Sequence, residues 1–92
     1  MHRLLDQPRV KEELASFRER IGNVKSESLK QECGSLLTQL VGEIKNLDMY
    51  HDQLFVNPQK KLSGMSNDSR ENVSILRRKL ESKLKDIKRA KL

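Results

Sequence analysis

A long one-sided apolar stripe in the middle of the chain limits what the chain can fold into. Its members recur at spacings of three or four residues, which is typical of one face of an α-helix. The stripe comprises Leu29, Cys33, Leu37, Leu40, Ile44, Leu47, His51 and Leu54. A helix that is apolar on one side needs neighbours to cover that side, so the stripe predicts further amphipathic helices elsewhere in the chain.

The bounds of this central helix follow from its flanking residues. Ser28 and Gln31 resemble a capping box at the start, and Asn57-Pro58 stops the helix after Val56. We therefore predict a helix over residues 28–56. Gly34 and Gly42 inside it predict either close approach of a neighbouring helix or a local bend.

A first helix is predicted over residues 7–22. Pro8 is suited to a first helical turn, and Gly22-Asn23 is suited to a left-handed stop. Its apolar stripe consists of Val10, Leu14, Phe17 and Ile21 and can extend to Val24.

A third helix is predicted over residues 69–91, with Asp68 and Ser69 as its capping residues. The segment 56–69, which contains proline, glycine and several small polar residues, is predicted to be a connector. The third apolar stripe consists of Val73, Leu76, Leu80, Leu84 and Ile87.

Together the three stripes predict an all-α fold, an antiparallel up-down-up three-helix bundle that forms a single domain over residues 1–92. Charged residues make up 35% of the chain and apolar residues another 35%, a balance that suits narrow stripes rather than a thick core. The single cysteine excludes an internal disulfide and favours a reducing compartment such as the cytoplasm.

The formal net charge of +6 is concentrated in the last segment. Residues 70–92 contain nine Lys or Arg and three Asp or Glu, whereas residues 1–69 contain ten of each. A basic segment of this kind can bind nucleic acid or an anionic membrane surface, or it can simply be the solvated face of a packed helix.

The pattern of reactive residues favours a non-enzymatic protein. The soft metal ligands His2, Cys33 and His51 are too few and too scattered for a metal site, and no cofactor motif is visible. Asp48 and Asp52 share a helix face, but without a surrounding motif they are expected to be solvated surface residues. We expect no catalytic residues, no cofactor and no small-molecule substrate.

One stretch resembles a known family. Leu40, Ile44 and Leu47-Asp48, followed by Asn57-Pro58 and Lys60, are similar to the end of the second helix in the N-terminal Habc-type domains of trans-Golgi and endosomal syntaxins. The resemblance implies a regulatory three-helix domain of a SNARE protein in vesicle trafficking, at the cytoplasmic face of Golgi or endosomal membranes. It also implies partners such as tethering factors, adaptors or SNARE regulators.

We predict two partner-binding regions on this basis. One is the hinge between the second and third helices, at Phe55, Asn57 and Pro58. The other is a basic rim on the third helix, formed by Arg77, Arg78, Lys85 and Arg89.

Three other functions fit the same sequence. A helical adaptor such as a co-chaperone module of the BAG type would also use three helices and a charged third helix. A nucleic-acid-binding protein would act through residues 70–92. The long central stripe would also suit self-association as a coiled coil.

Overall fold

The computed structural model describes the backbone of residues 3–56 and 60–91, and the side chains of residues 3–53 and 64–91. A short 3-10 helix, Leu4–Asp6, precedes α1 (Pro8–Gly22), α2 (Glu27–Val56) and α3 (Lys60–Ala90). All regular structure in the described residues is helical, which confirms the predicted all-α three-helix bundle.

Helix α1 begins at Pro8, one residue later than predicted, and ends at Gly22 as predicted, but in a different conformation. Pro8 occupies its first turn, and Asn23 follows it with φ −86° and ψ −5°. The Asn23 N–H donates to the carbonyl oxygens of Glu19 and Arg20 at 3.2 and 3.3 Å. The predicted left-handed stop is therefore wrong, because a right-handed turn already satisfies the last carbonyls.

Helix α2 ends at Val56 as predicted and begins at Glu27, one residue earlier than predicted. Its cap is Ser26, whose hydroxyl oxygen accepts from the Leu29 N–H at 3.5 Å, so the predicted capping role of Ser28 is wrong. A Cβ added at Gly34 or Gly42 would meet nothing within 4 Å. The predicted close approach of a neighbouring helix at these two glycines is therefore also wrong.

The predicted connector over residues 56–69 is wrong, because helix α3 begins at Lys60 rather than at residue 69. Ser66 and Ser69 are only 4% and 5% accessible. They precede Val73 by seven and four residues, so they continue the buried stripe of α3 towards its start with small side chains. The extra turns form because α2 is long enough to pack against them, and this outweighs the low helix propensity of Gly64 and the serines.

The core lies where the three stripes meet. Its most buried side chains are Cys33, Leu40 and Leu80. The remaining core residues are Leu14, Phe17, Ile21, Val24, Leu37, Ile44, Leu47, Val73, Leu84 and Ile87. Fully burying a leucine or isoleucine stabilises a fold by about 1.5–3 kcal/mol, so this cluster is the main source of stability.

The helices differ in length, and this difference shapes the surface. Helices α2 and α3 have 30 and 31 residues and form a long antiparallel hairpin, whereas α1 has 15 residues. Helix α1 runs antiparallel to α2 and parallel to α3 along one end of the hairpin, as the pairs Glu13–Arg77 and Arg20–Glu81 show. The molecule measures 49 × 23 × 17 Å.

Candidate interaction surface

A groove of about 670 Å³ runs between α1 and α3. Few Cα atoms of α1 lie within 8 Å of a Cα atom of α3, so the two helices contact each other through side chains rather than through closely packed backbones. The α1/α3 groove is lined by Glu13, Ser16, Phe17, Arg20, Arg77, Arg78, Glu81, Ser82, Lys85, Asp86 and Arg89. All four residues of the predicted basic rim therefore line one groove.

Helical spacing brings these side chains together. On α3, residues 77, 81, 85 and 89 follow one another at intervals of four and form one wall. On α1, residues 13, 16, 17 and 20 form the other wall in the same way. Phe17, which is 3% accessible, forms the floor.

Two ion pairs cross the groove. Arg77 Nε lies 2.6 Å from Glu13 Oε1, and Arg20 donates from a terminal guanidinium nitrogen to Glu81 Oε2 at 2.7 Å. The Arg77–Glu13 pair is close, but its angles are not those of a hydrogen bond, so it acts as a charge contact between two solvent-shielded atoms. The hydrogen bond from Arg20 lowers the pKa of the Glu81 carboxyl below its ordinary value.

The ion pairs leave a basic excess in the groove. Among the residues that the structure describes, five cations and three carboxylates line it, and the two pairs use two of each. Arg78, Lys85 and Arg89 are exposed, and Asp86 is the remaining carboxylate of the lining. The groove can therefore attract an anionic group without being uniformly basic.

The basic third helix is partly neutralised outside the groove as well. Lys83 pairs with Glu32 of α2, and this hydrogen bond raises the pKa of the Lys83 ammonium. A terminal nitrogen of Arg70 lies 3.5 Å from Nε2 of His51, which is half-buried. The charge excess of residues 70–92 is thus distributed among intramolecular contacts and exposed side chains.

The second predicted binding region cannot be compared with the structure. Asn57 and Pro58 lie outside the described residues, and Phe55 is described only as part of helix α2. The proposal that this hinge binds a partner therefore stays a prediction.

Asp48 has a role that the sequence did not indicate. It is 8% accessible, and its two carboxylate oxygens accept from the backbone N–H groups of Leu4 and Leu5 at 2.7 and 3.3 Å. The expectation of a solvated side chain is wrong for Asp48, whereas Asp52 lies near the surface, 3.7 Å from Arg3. One sequence signal was available: Leu4 and Leu5 are two apolar residues ahead of Pro8, and such residues are expected to pack against the bundle. In the structure both are half-buried.

A second cavity lies beyond the lower end of the groove, where α1 and α3 both end. This basal cleft has a volume of about 480 Å³ and shares Arg20 with the groove. It is lined by Arg20, Asn23, Val24, Lys25, Leu84, Ile87, Lys88 and Lys91. No local sequence pattern indicates that Val24 and Lys25 lie beside the end of α3.

Among the described residues, no group of three or more His, Cys, Asp and Glu side chains could hold a metal ion. None of the helices, over the part of the chain that the structure describes, combines the length and apolar content that a bilayer span requires.

No family model, no curated protein and no solved structure matches this chain in comparisons with known proteins. What the groove and the cleft can bind follows from their own geometry and charge.

Proposed function

We propose that this chain is a non-enzymatic interaction domain that binds a helical segment of a partner protein in the α1/α3 groove. The supporting observation is the structure of the α1/α3 groove. Side-chain pairs bridge α1 and α3 over a groove floored by Phe17, and Arg78, Lys85 and Arg89 are exposed along one wall. A partner helix can lie along such a groove and use the exposed cations to orient itself.

We further propose that the partners belong to the vesicle-trafficking machinery, as tethering factors, adaptors or SNARE regulators at the cytoplasmic face of Golgi or endosomal membranes. The resemblance of residues 40–60 to trans-Golgi and endosomal syntaxins supports this proposal, and the three-helix architecture is compatible with it. An adaptor of the BAG type, which would bind a heat-shock ATPase, is the principal competing proposal.

Affinity capture with charge-reversed variants tests both proposals. The groove variant is Arg78→Glu, Lys85→Glu and Arg89→Glu. The control variant is Lys11→Glu, Lys45→Glu and Lys79→Glu, which makes the same charge change at exposed positions outside the groove. We expect fusion-machinery proteins to be captured by the wild type and the control and lost from the groove variant, with direct binding then measured on the purified partner.

The same experiment can contradict the proposals separately. Capture of a heat-shock ATPase without any fusion protein would favour the BAG-type adaptor. Retention of every partner by the groove variant would exclude the groove as the binding surface.

Nucleic-acid binding is a second candidate because Arg78, Lys85 and Arg89 are exposed on one helix. It predicts an affinity whose logarithm falls linearly with the logarithm of salt concentration, with a slope of about one per phosphate contacted. Glu81 and Asp86 among the same lining residues work against this candidate by repelling phosphates. A mobility-shift titration with duplex DNA and single-stranded RNA between low and physiological salt would decide it.

A further inference from the structure

The basal cleft differs from the groove in its charge. Arg20, Lys25, Lys88 and Lys91 line it, and none of the described residues that line it is acidic. Arg20 is paired with Glu81, so Lys25, Lys88 and Lys91 remain, and all three are exposed. Three like charges around one cavity repel one another, and an anionic occupant would relieve that repulsion.

Helix dipoles account for only part of this arrangement. Lys88 and Lys91 lie at the carboxyl end of α3, where cations are favoured. Lys25 instead precedes Ser26, the cap of α2, so it lies at the amino end of a helix, where a cation is disfavoured. The acidic residue in the first turn of α2, Glu27, does not line the cleft.

The cleft also has an apolar floor. Val24, Leu84 and Ile87 form it and remain 8%, 4% and 6% accessible. The aliphatic stems of the surrounding lysines extend this apolar surface below their charged ends. A flat bilayer surface cannot reach the floor of a concave cleft, whereas a protruding side chain of a peptide can.

We propose that the basal cleft binds an acidic segment of a partner protein, with one apolar side chain over Val24 and Ile87 and carboxylates paired with Lys25, Lys88 and Lys91. This inference rests on the proposed function, because its occupant is a protein segment. Arg20 lines both cavities, so a segment leaving the groove can continue into the cleft.

The test is an NMR titration of the isotope-labelled full chain at about 0.15 M salt, where attraction between distant exposed charges is largely screened. The probe is a synthetic peptide with glutamates on both sides of a short leucine row. One counterpart has serine for every leucine, and another has lysine for every glutamate. Anionic phosphatidylserine vesicles form a separate arm of the experiment.

The cleft variant is Lys25→Glu, Lys88→Glu and Lys91→Glu, and the control is again Lys11→Glu, Lys45→Glu and Lys79→Glu, which has the same net charge. We expect the acidic peptide to shift the amide signals of Val24, Lys25 and Ile87. Its affinity should fall at least tenfold in the cleft variant and less than twofold in the control. A variant with Lys25, Lys88 and Lys91 changed to glutamine should be intermediate, and circular dichroism checks that each variant is folded.

Several results would overturn the inference. They are signal shifts confined to other surfaces, equal losses in the cleft and control variants, equal binding of the leucine-free peptide, and binding of the vesicles without binding of the peptide. None of these results affects capture of a partner through Arg78, Lys85 and Arg89, so the two proposals can fail independently.

Discussion

Single residues hold distant parts of this small bundle together, and Asp48 is the clearest example. Its carboxylate accepts two backbone hydrogen bonds from residues 44 and 43 positions away in sequence. The N–H groups at the start of a helix have no hydrogen-bond acceptor within that helix. The buried carboxylate of Asp48 on α2 is the acceptor for the N-terminal 3-10 helix. These two hydrogen bonds hold the N-terminal 3-10 helix against the hairpin.

Replacing Asp48 with alanine is expected to destabilise the fold by about 1–3 kcal/mol, because two N–H groups lose their acceptor. Urea denaturation measures the loss, and amide exchange at Leu4 and Leu5 should accelerate. The control is Asp52→Ala, one turn further along α2, where an exposed pair with Arg3 contributes about 0–1 kcal/mol. Equal losses in the two variants would show that the carboxylate of Asp48 is not a cap.

Glu81 gives the fold a pH dependence at the level of one side chain. Its folded-state pKa is lowered, mainly by the hydrogen bond from Arg20, so the pair stabilises the fold above the ordinary glutamate pKa. This contribution is lost as pH falls through the lowered pKa. The stability difference between the wild type and Glu81→Gln should therefore be largest at neutral pH and vanish at strongly acid pH.

The size of that difference is modest, because the pair is partly exposed and such pairs contribute about 0–1 kcal/mol. Denaturation curves at several pH values measure it. Glu71→Gln, at an exposed glutamate of the same helix, serves as the control. A difference that stays constant down to acid pH would contradict the assigned role of Arg20.

At the level of helices, apolar periodicity predicted the large core side chains but missed the part of α3 whose buried positions are serines. Leu14, Leu40 and Leu80 were placed in the core correctly because large apolar side chains repeat at helical intervals. The first nine residues of α3 were missed because Ser66 and Ser69 occupy the stripe, and serine is usually a turn or surface residue. Sequence propensity cannot report that a long neighbouring helix buries them.

The candidate site was predictable to the same extent. The rim of Arg77, Arg78, Lys85 and Arg89 follows from positions on one helix, so it could be read from spacing alone. The opposite wall, Glu13 and Arg20, and the basal Lys25 depend on how α1 packs beside α3. Such contacts between elements are absent from any local pattern.

The glycine in α3 offers a direct test of that helix. Gly64 lies within α3, and a Cβ there would meet nothing within 4 Å. Gly64→Ala is therefore expected to stabilise the fold by about 0.5–1 kcal/mol, because alanine has the higher helix propensity. Thermal and urea unfolding measure the change. Gly42→Ala in α2, which is equally unobstructed, should give a similar gain; a loss only at residue 64 would indicate a loop there.

At the scale of the whole molecule, the apolar stripe of α2 is covered by other parts of the same chain. Cys33, Leu37, Leu40, Ile44 and Leu47 are all buried by the chain itself. Little of the stripe over residues 33–47 is therefore left for a coiled coil between copies. We expect one sedimentation coefficient across a wide concentration series, together with a concentration-independent radius of gyration in solution scattering. A coefficient that rises with concentration would support self-association.

Because Cys33 is buried, its thiol can report transient opening of the bundle. The chain has a single thiol, it has no accessible surface in the native state, and desolvation raises its pKa. A thiol-reactive dye can consequently label the chain only during transient openings of the bundle. The labelling rate would reveal, without any engineered tag, how often α1 and α3 part from α2, and whether an occupant of the groove or cleft slows that event.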